Sequence, residues 1–348
     1  MTKEVYQKLG EALNARSVTI PSVPCDEFFA FAEALFTPEQ AELACSMPLE
    51  PVAADDLAAK IGEADIRKVE KKLEEMADKG LITVQEREGK KYYEFLPFVP
   101  GIIELQFMKG EVNEHAKRLT VLLRDYLKAM RAIMKTASPP TPAAAPAVTK
   151  TIPVNEEVSD LVTILPYDEV MRLIDSVDYV AAGVCVCRHQ GDLLDRPCSK
   201  PKKDMCMILG SSAQSAASRG FARLLSKEEA RRSIDEAEEA GLVHSFANSS
   251  DKYINLLCNC CGCHCLILRN VKRSPVPSKA VFTDWVTMIS TEECNGCGAC
   301  VDRCWMGALK QEGDTVVRDA ERCIGCGVCM YVCPADAMKL ERRELVKL

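Results

Sequence analysis

Cys294-Asn-Gly-Cys297-Gly-Ala-Cys300-Val-Asp-Arg-Cys304 and Cys323-Ile-Gly-Cys326-Gly-Val-Cys329-Met-Tyr-Val-Cys333-Pro334 write one cysteine spacing, C-x2-C-x2-C-x3-C, twice in the chain. At that spacing three thiolates on a tight loop reach three corners of an iron-sulfur cube. The fourth, expected at the start of a helix, serves the other cluster. The spacing therefore assigns Cys294, Cys297, Cys300 and Cys333 to cluster I, and Cys323, Cys326, Cys329 and Cys304 to cluster II. Gly296, Gly298, Gly325 and Gly327 fit loops that need positive φ and backbone N–H groups close to sulfur. Zinc knuckles or a disulfide framework are the alternatives. Zinc, however, usually takes two C-x2-C pairs across a longer spacer.

Over roughly residues 285–342 the stretch resembles the bacterial ferredoxin domain with two 4Fe-4S clusters. That resemblance implies low-potential one-electron chemistry. Leu309 to Asp319, with a Gly313-Asp314 turn, reads as the hairpin between its halves. One departure stands out: Trp305 occupies the place that Pro334 holds in the second motif.

The 348 residues have room for two or three domains, and the 47% apolar fraction is ordinary for a globular chain. Nineteen cysteines without a basic-then-apolar start at Met1-Thr-Lys-Glu-Val-Tyr lead us to expect reduced, metal-bound thiols in the cytoplasm of an anaerobe. No apolar run approaches the roughly 18 to 20 residues of a membrane span, so membrane insertion is not expected. A net charge of -7 argues against nonspecific nucleic-acid binding.

Upstream, helical periodicity runs over residues 26–45, interrupted at Pro38, with a second helix at Glu39 to Ser46 and a third near Ala54 to Ile61. Ala64 to Lys79 places Ile66, Val69, Leu73 and Met76 on one face. Gly80 closes it, and Leu81-Ile-Thr-Val and Tyr92-Tyr-Glu-Phe95 follow as a ribbon about Arg87-Glu-Gly-Lys90. Helices followed by a two-stranded ribbon make a winged-helix-like domain over 1–110. Its reading helix mixes Arg67, Lys68, Lys71 and Lys72 with Glu74, Glu75 and Asp78, which favours protein docking over DNA. In 111–135, Val112, Ala116, Leu119, Leu123, Tyr126, Met130 and Ile133 form a near-heptad seam, for a homodimeric coiled coil or for a helix folded back on the first domain. His115 on it reads as a surface residue. Residues 136–151, rich in proline and alanine, read as a linker that leaves the first domain free to move.

The central domain, 152–275, holds nine cysteines: Cys185, Cys187, Cys198, Cys206, Cys258, Cys260, Cys261, Cys263 and Cys265. Tyr167 to Val177 reads as a helix. Tyr179 to Cys187 reads as a buried strand that presents Cys185 and Cys187 to one side. Ser226-Lys-Glu-Glu229 is a capping box for a helix ending at Gly241, and Asn248 to Asp251 a turn before a strand from Tyr253. So many cysteines have no packing reason and imply metal. A Cys-x-Cys-Arg segment paired with a later Cys-x-Cys-Cys segment resembles the cysteine-rich region of iron-sulfur proteins of anaerobes, which implies clusters. The expected set is Cys187, Cys198, Cys206 and one cysteine of 258–265, with a second cluster or a zinc site as further readings. His189 and His264 read as neighbours of ligands, and Arg188 as a charge favouring the reduced state. Gly210 to Gly220 lacks the spacings of a phosphate loop.

The expected class is α+β and multidomain: a winged helix, a central cysteine-rich α/β domain and a ferredoxin-like domain over 280–348. Two 4Fe-4S clusters, one or two central ones and no organic cofactor motif lead us to expect electron transfer to or from a larger oxidoreductase. The alternatives are a redox-responsive winged-helix regulator and an enzyme whose central cluster has an open iron.

Overall fold

The computed structural model describes residues 2–16, 21–137, 162–247 and 255–343. The linker beyond Ala137 and the turn at Asn248 to Asp251 lie outside them.

The first segment begins with α1 (Thr2–Asn14), which the sequence reading missed, although Tyr6, Leu9 and Leu13 are buried at helical spacing. Then come α2 (Asp26–Leu35), α3 (Pro38–Ser46), α4 (Ala54–Ile61), α5 (Ile66–Asp78) and the ribbon β1 (Ile82–Arg87) and β2 (Lys90–Phe95). Local chemistry sets these ends. Thr37 and Gln40 form a capping box on α3, and the Asp65 side chain accepts the Arg67 amide at the start of α5. Glu88 and Gly89, at φ 52° and 76°, make the two-residue turn that matches strand twist. After α6 (Ile103–Phe107), α7 (Glu114–Ala137) folds back on this segment. Leu119, Leu123, Tyr126 and Met130 are buried, and the Tyr126 ring lies 5.5, 6.4 and 5.8 Å from those of Phe28, Phe31 and Phe98. The seam is thus taken up within the chain, and only its ends, Val112 and Ile133, are exposed. His115 is exposed as expected.

The central unit consists of β3 (Val162–Ile164), α8 (Tyr167–Ser176), β4 (Val180–Gly183), α9 (Val186–Leu193), β5 (Cys206–Leu209), α10 (Ser211–Ser218), β6 (Arg223–Leu225), α11 (Lys227–Ala240), β7 (Val243–Ala247), β8 (Asn255–Cys260) and α12 (Leu266–Arg273). The strands form one sheet in the order β3-β7-β8-β5-β4-β6. Every pairing is antiparallel, so this unit is α+β in kind, a correction to the α/β expectation. A second correction concerns Tyr179 to Cys187. The strand ends at Gly183, Cys185 precedes α9, and Cys187 sits in its first turn, because the Cys185 carbonyl accepts the His189 amide. The capping box at Ser226 and Glu229 and the left-handed Gly241 bound α11 as expected.

The sheet has two unlike faces. Val180, Ala182, Met207, Leu209, Phe246 and Leu257 pack against Val170, Ile174, Ala230 and Ile234 of α8 and α11. On the other face Cys206 lies directly opposite Cys258, Ser245 is opposite Cys258, and Cys260 follows two residues on, so these side chains share one side. The first segment covers that side. The Val184 amide donates to the Met108 carbonyl at 2.9 Å, the Thr83 hydroxyl meets that of Ser215 at 3.1 Å, and Arg219 pairs with Glu74 and Asp78. A Cβ on Gly183 would lie 2.8 Å from the Met108 carbonyl oxygen, so glycine permits the approach. The free movement expected of the first domain meets a packed interface.

The last unit is small. β9 (Trp285–Ile289) pairs with β12 (Met338–Arg342), and β10 (Leu309–Glu312) with β11 (Thr315–Arg318) about the expected Gly313-Asp314 turn. The single helix between the first motif's cysteines, α13 (Ala299–Arg303), precedes Cys304, so the fourth cysteine ends a helix where the sequence reading had it starting one.

Candidate metal centres

Cys294, Cys297, Cys300 and Cys333 line one cavity of about 290 Å³; Cys304, Cys323, Cys326 and Cys329 line another of about 380 Å³. The two halves of the unit repeat one geometry. Gly296 and Gly325 have φ 64° and 63°, and Gly298 and Gly327 have φ 74° and 76°. A Cβ on Gly325 would lie 2.1 Å from the Trp285 carbonyl oxygen, which closes that position to other residues. The Ala308 amide donates to Cys304 Sγ and the Ala337 amide to Cys333 Sγ, both at 3.3 Å. Amides aimed at sulfur stabilise negative charge there, as a cluster requires. Burial pushes the Cys326 thiol up, whereas the Gly296 amide pulls that of Cys294 down. Cys297 is exposed, so the first cavity lies nearer solvent than the second.

The central cavity is larger, about 930 Å³ by the same measure. Cys185, Cys187, Cys206, Cys258, Cys260, Cys261 and Cys265 form one wall, and Phe98, Val99, Ile103, Leu123 and Leu127 of the first segment form the other. The sulfurs lie in a connected run, Cys187 beside Cys265, Cys265 beside Cys260, Cys260 beside Cys258, and Cys258 3.9 Å from Cys206. Arg188 is fully buried among them, with Nη1 donating to the Asn259 carbonyl at 3.1 Å and Nε and Nη2 lacking any hydrogen-bond partner. Burial opposes its charge, but the sulfurs of Cys185, Cys261 and Cys260 outweigh that and raise its pKa. A buried guanidinium with orphaned donors beside thiols fits an anionic iron-sulfur cluster on this wall.

Cys198, of the expected central set, stands apart from Cys187 and Cys206. Its sulfur lies with those of Cys261 and Cys263 and a ring nitrogen of His264, all within 4.8 Å of one another. His189 Nε2 meets the Glu111 carbonyl at 3.0 Å and so ties α9 to the first segment. Gly210 and the residues after it form α10, which packs on β4 and β1 and has no place at the cysteines.

Two functional groups escaped the sequence reading. Glu104 lines the central cavity, accepts the Gly101 amide at 2.7 Å and is pushed up to about 7 by burial. A lone carboxylate in the apolar run Phe98 to Met108 was the available signal. Trp305 is the other. Its Nε1 donates to the Gly241 carbonyl at 2.6 Å, and a Cβ on Gly262 would lie 2.7 Å from its ring. It therefore seats the ferredoxin-like unit on the Cys258–Cys265 run. Val243 lines the second ferredoxin cavity and lies opposite Cys260, which lines the central one, so the two are neighbours across a single strand pair.

Residues 293–337 match the family of 4Fe-4S dicluster domains. No curated protein and no solved structure matches the chain. The C-terminal unit is a ferredoxin-like iron-sulfur domain of electron-transfer type, and among the described residues no helix is long and apolar enough to cross a membrane.

Proposed function

We propose that this chain is an electron-transfer component of a larger cytoplasmic oxidoreductase in an anaerobe. In this reading Cys294, Cys297, Cys300 and Cys333 hold cluster I, Cys323, Cys326, Cys329 and Cys304 hold cluster II, and the central wall of Cys185, Cys187, Cys206, Cys258, Cys260 and Cys265 supplies the ligands of a further 4Fe-4S cluster. A bound 4Fe-4S cluster takes up and releases one electron at a time. The residues of this chain hold the sites close together, keep water from the inner two and set their field. The observation that carries the reading is contiguity: Val243 and Cys260 are ladder partners, and Trp305 sits on Gly262, so the second and central sites share one wall. The helices and ribbon of the first segment serve as a winged-helix-like docking module. Engagement of Glu74 and Asp78 by Arg219 supports docking over DNA reading, since it ties the end of α5 to the central unit. Stepwise reduction followed by EPR tests the proposal. A Cys187→Ser, Cys258→Ser chain should lose one reducible centre and the coupling that broadens cluster II, while both ferredoxin signals remain. Unchanged spectra would defeat it.

One observation favours a second reading, in which a small molecule reacts at an open iron of the central site. The central cavity is more than twice as large as either ferredoxin cavity, and it holds Glu104 opposite the sulfurs. A shift of the central EPR signal on adding a substrate of the partner enzyme would support it, and an unmoved signal would count against it.

A further inference from the structure

Beyond the clusters, we propose that Cys198, Cys261, Cys263 and His264 bind a single thiophilic divalent ion, zinc, at a structural site separate from the central wall. Their four ligand atoms lie within 4.8 Å of one another, and the Cys198 and Cys263 sulfurs are 3.6 Å apart. Zinc-sulfur bonds of about 2.3 Å in a tetrahedron place sulfurs about 3.8 Å apart. A cubane spreads its thiolates farther, since each is bonded to a different iron, so this spacing suits one ion.

The histidine supplies an independent observation. His264 Nε2 lies 2.8 Å from the Arg196 carbonyl oxygen, which can only accept, so Nε2 carries the proton. Nδ1 is then left with its lone pair, 3.3 Å from Cys263 Sγ. This is the arrangement by which a carbonyl fixes the tautomer and orientation of a metal-binding imidazole. Gly191 makes room for the ring: a Cβ there would lie 2.6 Å from His264 Cδ2. Arg188 lies beside Cys261 and balances the negative charge of three thiolates and one neutral imidazole.

Four protein ligands leave no open position, so the ion is structural. It joins the Cys198 loop to the turn between β8 and α12, where Gly262 receives Trp305. The ion thereby fixes the surface on which the ferredoxin-like unit docks.

Metal analysis of the full chain, purified without oxygen, tests this. About one zinc per chain is expected beside the iron. His264→Ala should lose it, His264→Cys should keep it, and iron should be unchanged in both. Absence of zinc from the parent chain, zinc unmoved by His264→Ala combined with Cys263→Ser, or loss of iron in place of zinc would each overturn the assignment. Should the variants fail to fold, cobalt(II) exchanged into the parent chain decides: thiolate-rich tetrahedral d–d bands support the site, and their absence refutes it.

Discussion

Trp305 carries a difference between two otherwise parallel motifs into the packing of the molecule. Its ring rests on Gly262 and its indole N–H is satisfied by the Gly241 carbonyl, so Trp305→Ala removes both a packed ring and a hydrogen bond. We expect a loss of about 3 kcal/mol in unfolding free energy by denaturant titration. Equal stability of parent and variant would show that the docking does not depend on it. Arg188 acts through charge. Removing it as Arg188→Gln should lower the central midpoint potential by about 60 mV, roughly 1.4 kcal/mol for one electron, and leave the ferredoxin pair in place. Redox titration separates the two. The departure at Trp305 was legible in the sequence, but its partner was not, because Gly262 is remote in the chain and carries no side chain to announce a contact. The placement of Arg188 beside sulfur was legible because it follows Cys187 directly. The membership of His264 in a group of four was hidden, since the Arg196 carbonyl that orients it leaves no mark in residue identity.

Elements whose ends are written in local chemistry were legible: α4, the ribbon β1–β2 and α11 with its capping box all lie where periodicity and caps put them. The strand expected through Cys187 was not, because an apolar run of that length cannot distinguish a strand that continues from one that gives way to a helix. The seam on α7 read equally as a dimer contact or an internal one, since periodicity reports an apolar face and not its occupant. With that face buried under Phe28, Phe31 and Phe98, Leu123→Ala should cost about 2 to 5 kcal/mol and leave the sedimentation coefficient unchanged. A change in oligomeric state on substitution would instead mark the seam as intermolecular. The contact between α5 and Arg219 gives a pH dependence. Burial alone would raise the Glu74 carboxyl, but hydrogen bonds from Arg219, Lys91 and Tyr93 outweigh it and hold the group at about 2, below its ordinary 4.5. The contribution is therefore fully present above about pH 4.5 and is lost as pH falls toward 2. Thermal unfolding should show Glu74→Gln less stable than the parent at pH 6, with a narrower gap at pH 3.5. A gap independent of pH would mean that the charge of Glu74 is not what holds the interface.

At the scale of the whole molecule, three cysteine-lined cavities succeed one another, from the one nearest solvent at Cys297 to the one roofed by the first segment. The grouping of the ferredoxin cysteines could be read from spacing, because a repeated motif carries its own register. The central grouping could not: Cys206 meets Cys258 only through a strand ladder, and Cys198 parts from both because the chain returns to the turn after β8. That sheet also explains why the first segment packs instead of swinging on its tether, since the cysteine face would otherwise leave a wide apolar cavity open to water. The central claim is that this cavity holds iron. Iron and acid-labile sulfide per chain, measured on protein purified without oxygen, test it most directly. We expect at least about twelve of each, from three 4Fe-4S clusters; about eight of each would confine iron to the ferredoxin-like unit and contradict the account.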